Sequence, residues 1–192
     1  MMRVDLKDLA GTDILSGAAN GTTALARVVA SLPPGAEESI IVLDFRHVEV
    51  ATSSFLRELG LGLRDYCNRS RPELGLVVAN PNAAVLEELR DMLTEKREAM
   101  VICQVDARGR LSGARVAGPL EEKQRFTLDA VLKLREADAA ELFKRYERLD
   151  SIGVNGWNNR LAALAAKGIL RERRSGRTKR YRPVVEDLQH GT

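Results

Sequence analysis

Residues 39–45 read SIIVLDF, an unbroken apolar, β-branched run, and this constrains the fold more than any other stretch. A strand with water on one side alternates apolar and polar residues. One without alternation is buried on both faces, which is the mark of a central strand. A second such run, LGLVV at residues 74–78, and a third, MVICQV at residues 100–105, repeat the pattern. Between them lie helical periodicities at residues 22–32, 53–68 and 83–96. The first is stopped by Pro33-Pro34-Gly35, and the second sets Phe55, Leu56, Leu59, Leu63 and Tyr66 on one side. A short strand over residues 2–6 and a turn at Ala107-Arg108-Gly109 leading into residues 110–117 complete an α/β layer with a mixed sheet.

Charge divides the chain. Residues 1–124 hold 15 Lys/Arg and 18 Asp/Glu, a net of −3, whereas residues 125–192 hold 15 and 9, a net of +6. A basic half points to a polyanionic partner. The apolar periodicity breaks around Gly118-Pro119-Leu120. The expected organisation is therefore an α/β domain at residues 1–117, a linker at 118–125 and a mainly α domain at 126–192.

In the second part, residues 127–135 read as a helix with Thr127 as N-cap, and residues 137–146 as another. A turn over residues 149–153 leads to a third helix over 155–166, VNGWNNRLAALAAKG in its wider context. Trp157, Leu161, Leu164 and Ala165 share one face of it and are expected in the core, which leaves Asn155, Asn158, Asn159, Arg160 and Ala162 outside. Residues 171–183, RERRSGRTKRYRP, hold seven basic residues among thirteen and frame a β-hairpin around Ser175-Gly176-Arg177.

Three helices followed by a basic ribbon, with Lys-Gly-Ile-Leu leading into Gly-Arg and then Tyr181, resemble winged helix-turn-helix transcription regulators over residues 137–184. The resemblance implies that the third helix enters a major groove and the ribbon lies on the backbone. Double-stranded DNA is then the expected partner, contacted by Asn155, Asn158, Asn159, Arg160, Arg173, Arg174, Arg177, Lys179 and Arg180. The segment 145–153 is longer than the tight turn usual in that family. A homodimer is expected, because one winged helix reads few bases.

The stretch IVLDFRHVEVATSSFLREL resembles the STAS domains of anti-sigma-factor antagonists, and more closely a STAS-like family with a Ser-Ser-Phe ending, over residues 1–115. That resemblance implies a protein-docking or sensing domain in which Ser53 or Ser54 is phosphorylated. Thr52 stands where the antagonists carry Asp, and Phe55 where they carry Gly. Read from the residues alone, Thr52 or Ser53 caps the helix.

The P-loop, the dinucleotide fingerprint and the zinc-protease motif are all missing from the sequence, so no catalytic residues and no cofactor are expected. Cys67 and Cys103, with His47 and His190, have no metal-ligand spacing, so no metal is expected either. Apolar runs are too short to span a bilayer and the start of the chain lacks a signal-peptide pattern, so a cytoplasmic protein without membrane contact is expected. The rival function is an adaptor whose STAS-like part binds a kinase or anti-sigma-type partner.

Overall fold

A computed structural model describes residues 1–35, 38–176 and 178–189, so Arg177 and His190 lie outside the described residues. The chain is of the α/β class. Strand β1 (Met2–Asp5) runs into a five-residue helix α1 (Leu6–Ala10), which sequence reading did not anticipate. Asp5 makes it: its carboxylate accepts from the Lys7 and Asp8 N–H groups, and Gly11 at φ 74° ends it. Then come β2 (Ile14–Leu15), α2 (Ala18–Ser31), β3 (Ser39–Asp44) and β4 (Val50–Ala51). The next helix starts as α3 (Ser53–Leu56), widens into a π-helical stretch over Arg57–Leu61 and finishes as α4 (Gly62–Ser70). Strand β5 (Leu74–Ala79), α5 (Ala83–Glu95), β6 (Met100–Val105) and β7 (Leu111–Ala117) follow.

Five strands form one sheet in the order β1-β3-β5-β6-β7, with β7 antiparallel to β6 and every other pair parallel; β2 and β4 pair separately. The unbroken apolar runs are explained by alternation. Ile41, Leu43, Leu76, Val78, Met100 and Ile102 point into a core with Val28, Phe55, Leu59 and Leu89. Their neighbours Val42, Val77, Ala79, Val101 and Cys103 point to the opposite face.

That opposite face is covered by the second half of the chain. Helices α6 (Glu122–Leu134), α7 (Ala139–Tyr146) and α8 (Val154–Ala166), and the hairpin β8 (Leu170–Ser175) and β9 (Thr178–Pro183), share one core with it. Leu128, Val131, Leu142, Trp157, Leu161 and Tyr181 lie in that core, joined by Val184, Val185 and Leu188 beyond the hairpin. The Gln189 N–H donates to Ala114 O at 2.8 Å, fastening the segment beyond the hairpin to β7. Gly75 on β5 makes the approach possible. A Cβ there would sit 2.5 Å from Val184 Cγ2, so any larger residue has to push the Val184 side chain aside.

The structure corrects the start of α6. Thr127 is not the N-cap; it is buried inside the helix and its hydroxyl donates to Lys123 O at 2.8 Å. The helix begins a turn and a half earlier, where Glu121 and Gln124 form a capping box and the Glu121 N–H donates to Gln124 Oε1 at 3.1 Å. The charged run expected to be linker is thus largely the helix's first turn. Gly118, at φ 90°, turns the chain so tightly that a Cβ would lie 2.2 Å from Glu98 O.

Candidate nucleic-acid interface

Helix α8 is sorted by its own periodicity. Trp157, Leu161 and Leu164 are fully buried, and the Trp157 ring packs with Phe126 of α6 and Tyr146 of α7 at centroid distances of 5.9 and 6.0 Å. Ala165 is only half-buried. On the opposite side Asn155, Asn159, Ala162 and Ala166 are exposed, spaced by four, three and four residues, so they form one stripe. Small side chains and two amides leave this stripe low and uncharged.

The far end of α8 is docked on the α/β half. Asn68 donates to Ala166 O at 2.8 Å, while Lys167 reaches Arg97 O at 2.6 Å and the Glu98 carboxylate at 3.2 Å. Glu98 in turn pairs with Arg64, which also holds Asp65. The free part of the stripe is therefore its N-terminal half.

The hairpin carries out the expected strand–turn–strand order, and a third chain segment joins it. Ala137 and Tyr181 exchange backbone hydrogen bonds of 2.8 and 2.9 Å, so the segment leading into α7 pairs with β9. Tyr181 is buried, and its hydroxyl donates to Glu172 at 3.2 Å. Burial, with the Glu172 charge beside it, pushes the phenol up to about 12.

The nine residues expected at a duplex are not equivalent in the fold. Asn155 and Asn159 are exposed, and Asn158 is half-buried. Arg160 is turned back: it pairs with Asp150 in the turn before α8 and its guanidinium lies 5.4 Å from the Trp157 ring centroid. That hydrogen bond holds the Asp150 carboxyl below the usual range. Arg160 therefore clamps the helix start. Arg180 is surrounded by Glu136, Asp138 and Glu141 at 3.1, 3.9 and 3.5 Å. Arg174 stands 78% exposed and Lys179 47%, both beside Glu172. Arg173 is exposed but faces a cleft against the sheet, and Arg177 is outside the described residues.

Sequence reasoning missed a second set of cations. Lys144, Arg145 and Arg148 are all exposed at the end of α7 and in the turn before α8, next to Leu149, which is 76% exposed. The signal was present as KRYER at residues 144–148, a basic run with no apolar periodicity to explain it. These cations, with Arg174 and Lys179, lie in the segments that lead into and follow α8.

In the α/β half, Thr52 is the N-cap of α3, its hydroxyl accepting from the Phe55 N–H at 3.4 Å and from the Gly17 N–H at 3.2 Å. Ser54 shares a hydrogen bond of 3.1 Å with Thr52. Ser53 faces a carboxylate: its hydroxyl and its N–H both donate to Glu88 Oε2, at 2.5 and 3.2 Å. Glu88 thus supplies the negative charge that a helix N-terminus favours. Asp44, at the end of β3, is fully buried and fully used. Arg3 reaches Oδ2 at 2.5 and 2.6 Å, and the Arg46 N–H and the Asn80 amide reach Oδ1 at 3.0 and 2.8 Å. Asn80 bonds Val105 through both its amide atoms, so this one carboxylate ties the ends of four strands.

Among the described residues no three His, Cys, Asp or Glu side chains gather as metal ligands, and no helix is long and apolar enough to cross a membrane. No protein-family model matches the chain, and no curated protein is significantly similar to it.

Proposed function

We propose that the chain is a DNA-binding transcriptional regulator whose winged helix engages duplex DNA, with the STAS-like half serving for sensing, docking or dimerisation. The observation that carries this reading is the division of α8 into a sealed face and a free Asn155–Asn159–Ala162 stripe, bracketed in sequence by exposed cations. Asparagine amides match the donor–acceptor pair on an adenine edge, and alanine lets a groove approach closely. Lys144, Arg145, Arg148, Arg174 and Lys179 meet phosphates, which fixes register without reading sequence. Arg160 and Arg180 act indirectly, by holding the helix and the ribbon in place. Two copies of the chain supply paired half-sites, and the protein works in the cytoplasm. Phosphorylation at Ser53 or Ser54 is the switch implied by the STAS resemblance; on Ser53 it drives Glu88 from the helix N-terminus by like-charge repulsion.

Fluorescence anisotropy of the full chain on a labelled duplex, titrated with salt, tests the reading. Five phosphate contacts contribute about −4.5 to the log–log slope for each copy bound. The double variant Arg174→Ala/Lys179→Ala reduces that slope by about 2. No duplex binding at low salt would instead favour the protein-binding adaptor.

A further inference from the structure

We propose that the cleft between the hairpin and the sheet binds a small molecule bearing two neighbouring oxyanion groups, of the phosphate or carboxylate type. The cleft encloses about 780 Å³, within the roughly 300–1,000 Å³ usual for metabolite-sized ligands. Its apolar surface comes from Ile40 of β3, Leu132 of α6 and Val184 beyond β9. Its polar wall is the hairpin face that carries Arg171, Arg173 and Arg182, and Arg135 adds a fourth guanidinium from the end of α6.

The strand register explains why this wall asks for an anion. Arg171 lies opposite Arg182, and Arg173 lies opposite Arg180. Like charges directly opposite each other repel. Three of the four are relieved within the fold. Arg171 donates to Glu73 O, Arg182 pairs with Glu38, and Arg180 has its three carboxylates. The side chains of Arg173 and Arg135 make no hydrogen bond or ion pair to any described residue. Arg135 also ends α6 at φ 65°, a left-handed position where glycine or asparagine normally stands.

Carboxylates do line the same space: Glu136, Glu186 and Asp187. The lining as a whole holds four guanidiniums and three carboxylates; with Glu136 engaged by Arg180, Arg182 by Glu38 and Arg171 by Glu73 O, the uncommitted groups are Arg135 and Arg173 with Glu186 and Asp187. Guanidinium forks take phosphate and carboxylate oxygens bidentately, so Arg135 and Arg173 are matched to two adjacent anionic groups, with the ligand's body on the apolar floor. The cleft is walled by the sheet on one side and the hairpin on the other, so an occupant joins the two halves of the molecule. This inference stands independently of the duplex reading.

Isothermal titration calorimetry of the full chain with inorganic pyrophosphate, and separately with citrate, tests it and distinguishes the two chemistries. One-site saturation by either probe is the expected result. Arg135→Ala and Arg173→Ala should each weaken that binding about tenfold or more, the loss of a charge-assisted hydrogen bond. Arg174→Ala, which alters the opposite face of the same strand, should leave it within about twofold. Without ligand, Arg173→Ala should melt at the wild-type temperature or above, because it removes repulsion. Failure of both probes to bind at one site would overturn the proposal. So would equal weakening by Arg174→Ala, which would mean a general attraction to the ribbon, or a clear loss of stability in Arg173→Ala.

Discussion

Asp44 and Arg173 are both strand residues carrying a full charge, yet the fold treats them in opposite ways. Asp44 is sealed where β1, β3, β5 and β6 end, and its two oxygens receive Arg3, Asn80 and the Arg46 N–H. Arg173 is held on an exposed ribbon beside like charges, and its side chain meets no described partner. Burying a charge is tolerable only when every lone pair is met, so the Asp44 network serves the fold. A fold that keeps cations unpartnered leaves them for something outside the chain. The same contrast separates Arg160, clamped on Asp150, from Arg145 and Arg148, which are exposed to solvent or a polyanion.

Removing the buried carboxylate should have the largest effect. Asp44→Ala strands the Arg3 guanidinium and the Asn80 amide and should cost about 3–5 kcal/mol in urea unfolding, whereas Arg173→Ala should cost nothing measurable. The seam between the halves comes next. Gly75→Ala forces Val184 aside and should cost about 1–3 kcal/mol, and Val184→Ala in the same chain should recover most of it, a coupling that a double-mutant cycle reads directly.

A smaller effect is expected from pH. Burial pushes the Cys67 and Cys103 thiols from 9.0 up to about 11, and the Tyr181 phenol from 10.0 up to about 12. The folded chain therefore keeps protons that the unfolded chain has released. Stability is full below about pH 9 and falls as pH rises from there towards 12. Urea midpoints between pH 8 and pH 11 should drop, and Tyr181→Phe should shrink the part of the drop above pH 10. The smallest stability effect belongs to the free cations. Arg145→Ala should leave unfolding within about 0.5 kcal/mol while lowering the salt slope of duplex binding by about 1.

Much of this architecture was legible in the sequence because it follows from local periodicity. The strand at Met100–Val105 and the hairpin around Gly176 were readable from apolar runs and turn residues, and the inward face of α8 from the spacing of Trp157, Leu161 and Leu164. Helix α1 was not, since five residues hold too little periodicity and only the Asp5 cap and Gly11 stop define it. The start of α6 was misread because a capping box of Glu121 and Gln124 looks like a polar linker until the helix after it is known. Site residues were harder still. Whether an arginine is free depends on partners far along the chain: Asp44 meets Arg3 from 41 residues away, and Arg182 meets Glu38 from 144. Arg173 and Arg174 are adjacent and alike in sequence. Only the hairpin's docking on the sheet turns one towards a cleft and the other towards solvent.

Hydrogen–deuterium exchange of the full chain with and without a duplex asks most directly where the polyanion binds. Slowed exchange is expected over the first two turns of α8, from Val154 to Arg160, and in the hairpin around Arg174 and Lys179, with β1 to β7 unchanged. Slowing confined to the α/β half, or none at α8 with the duplex bound, would contradict the duplex reading.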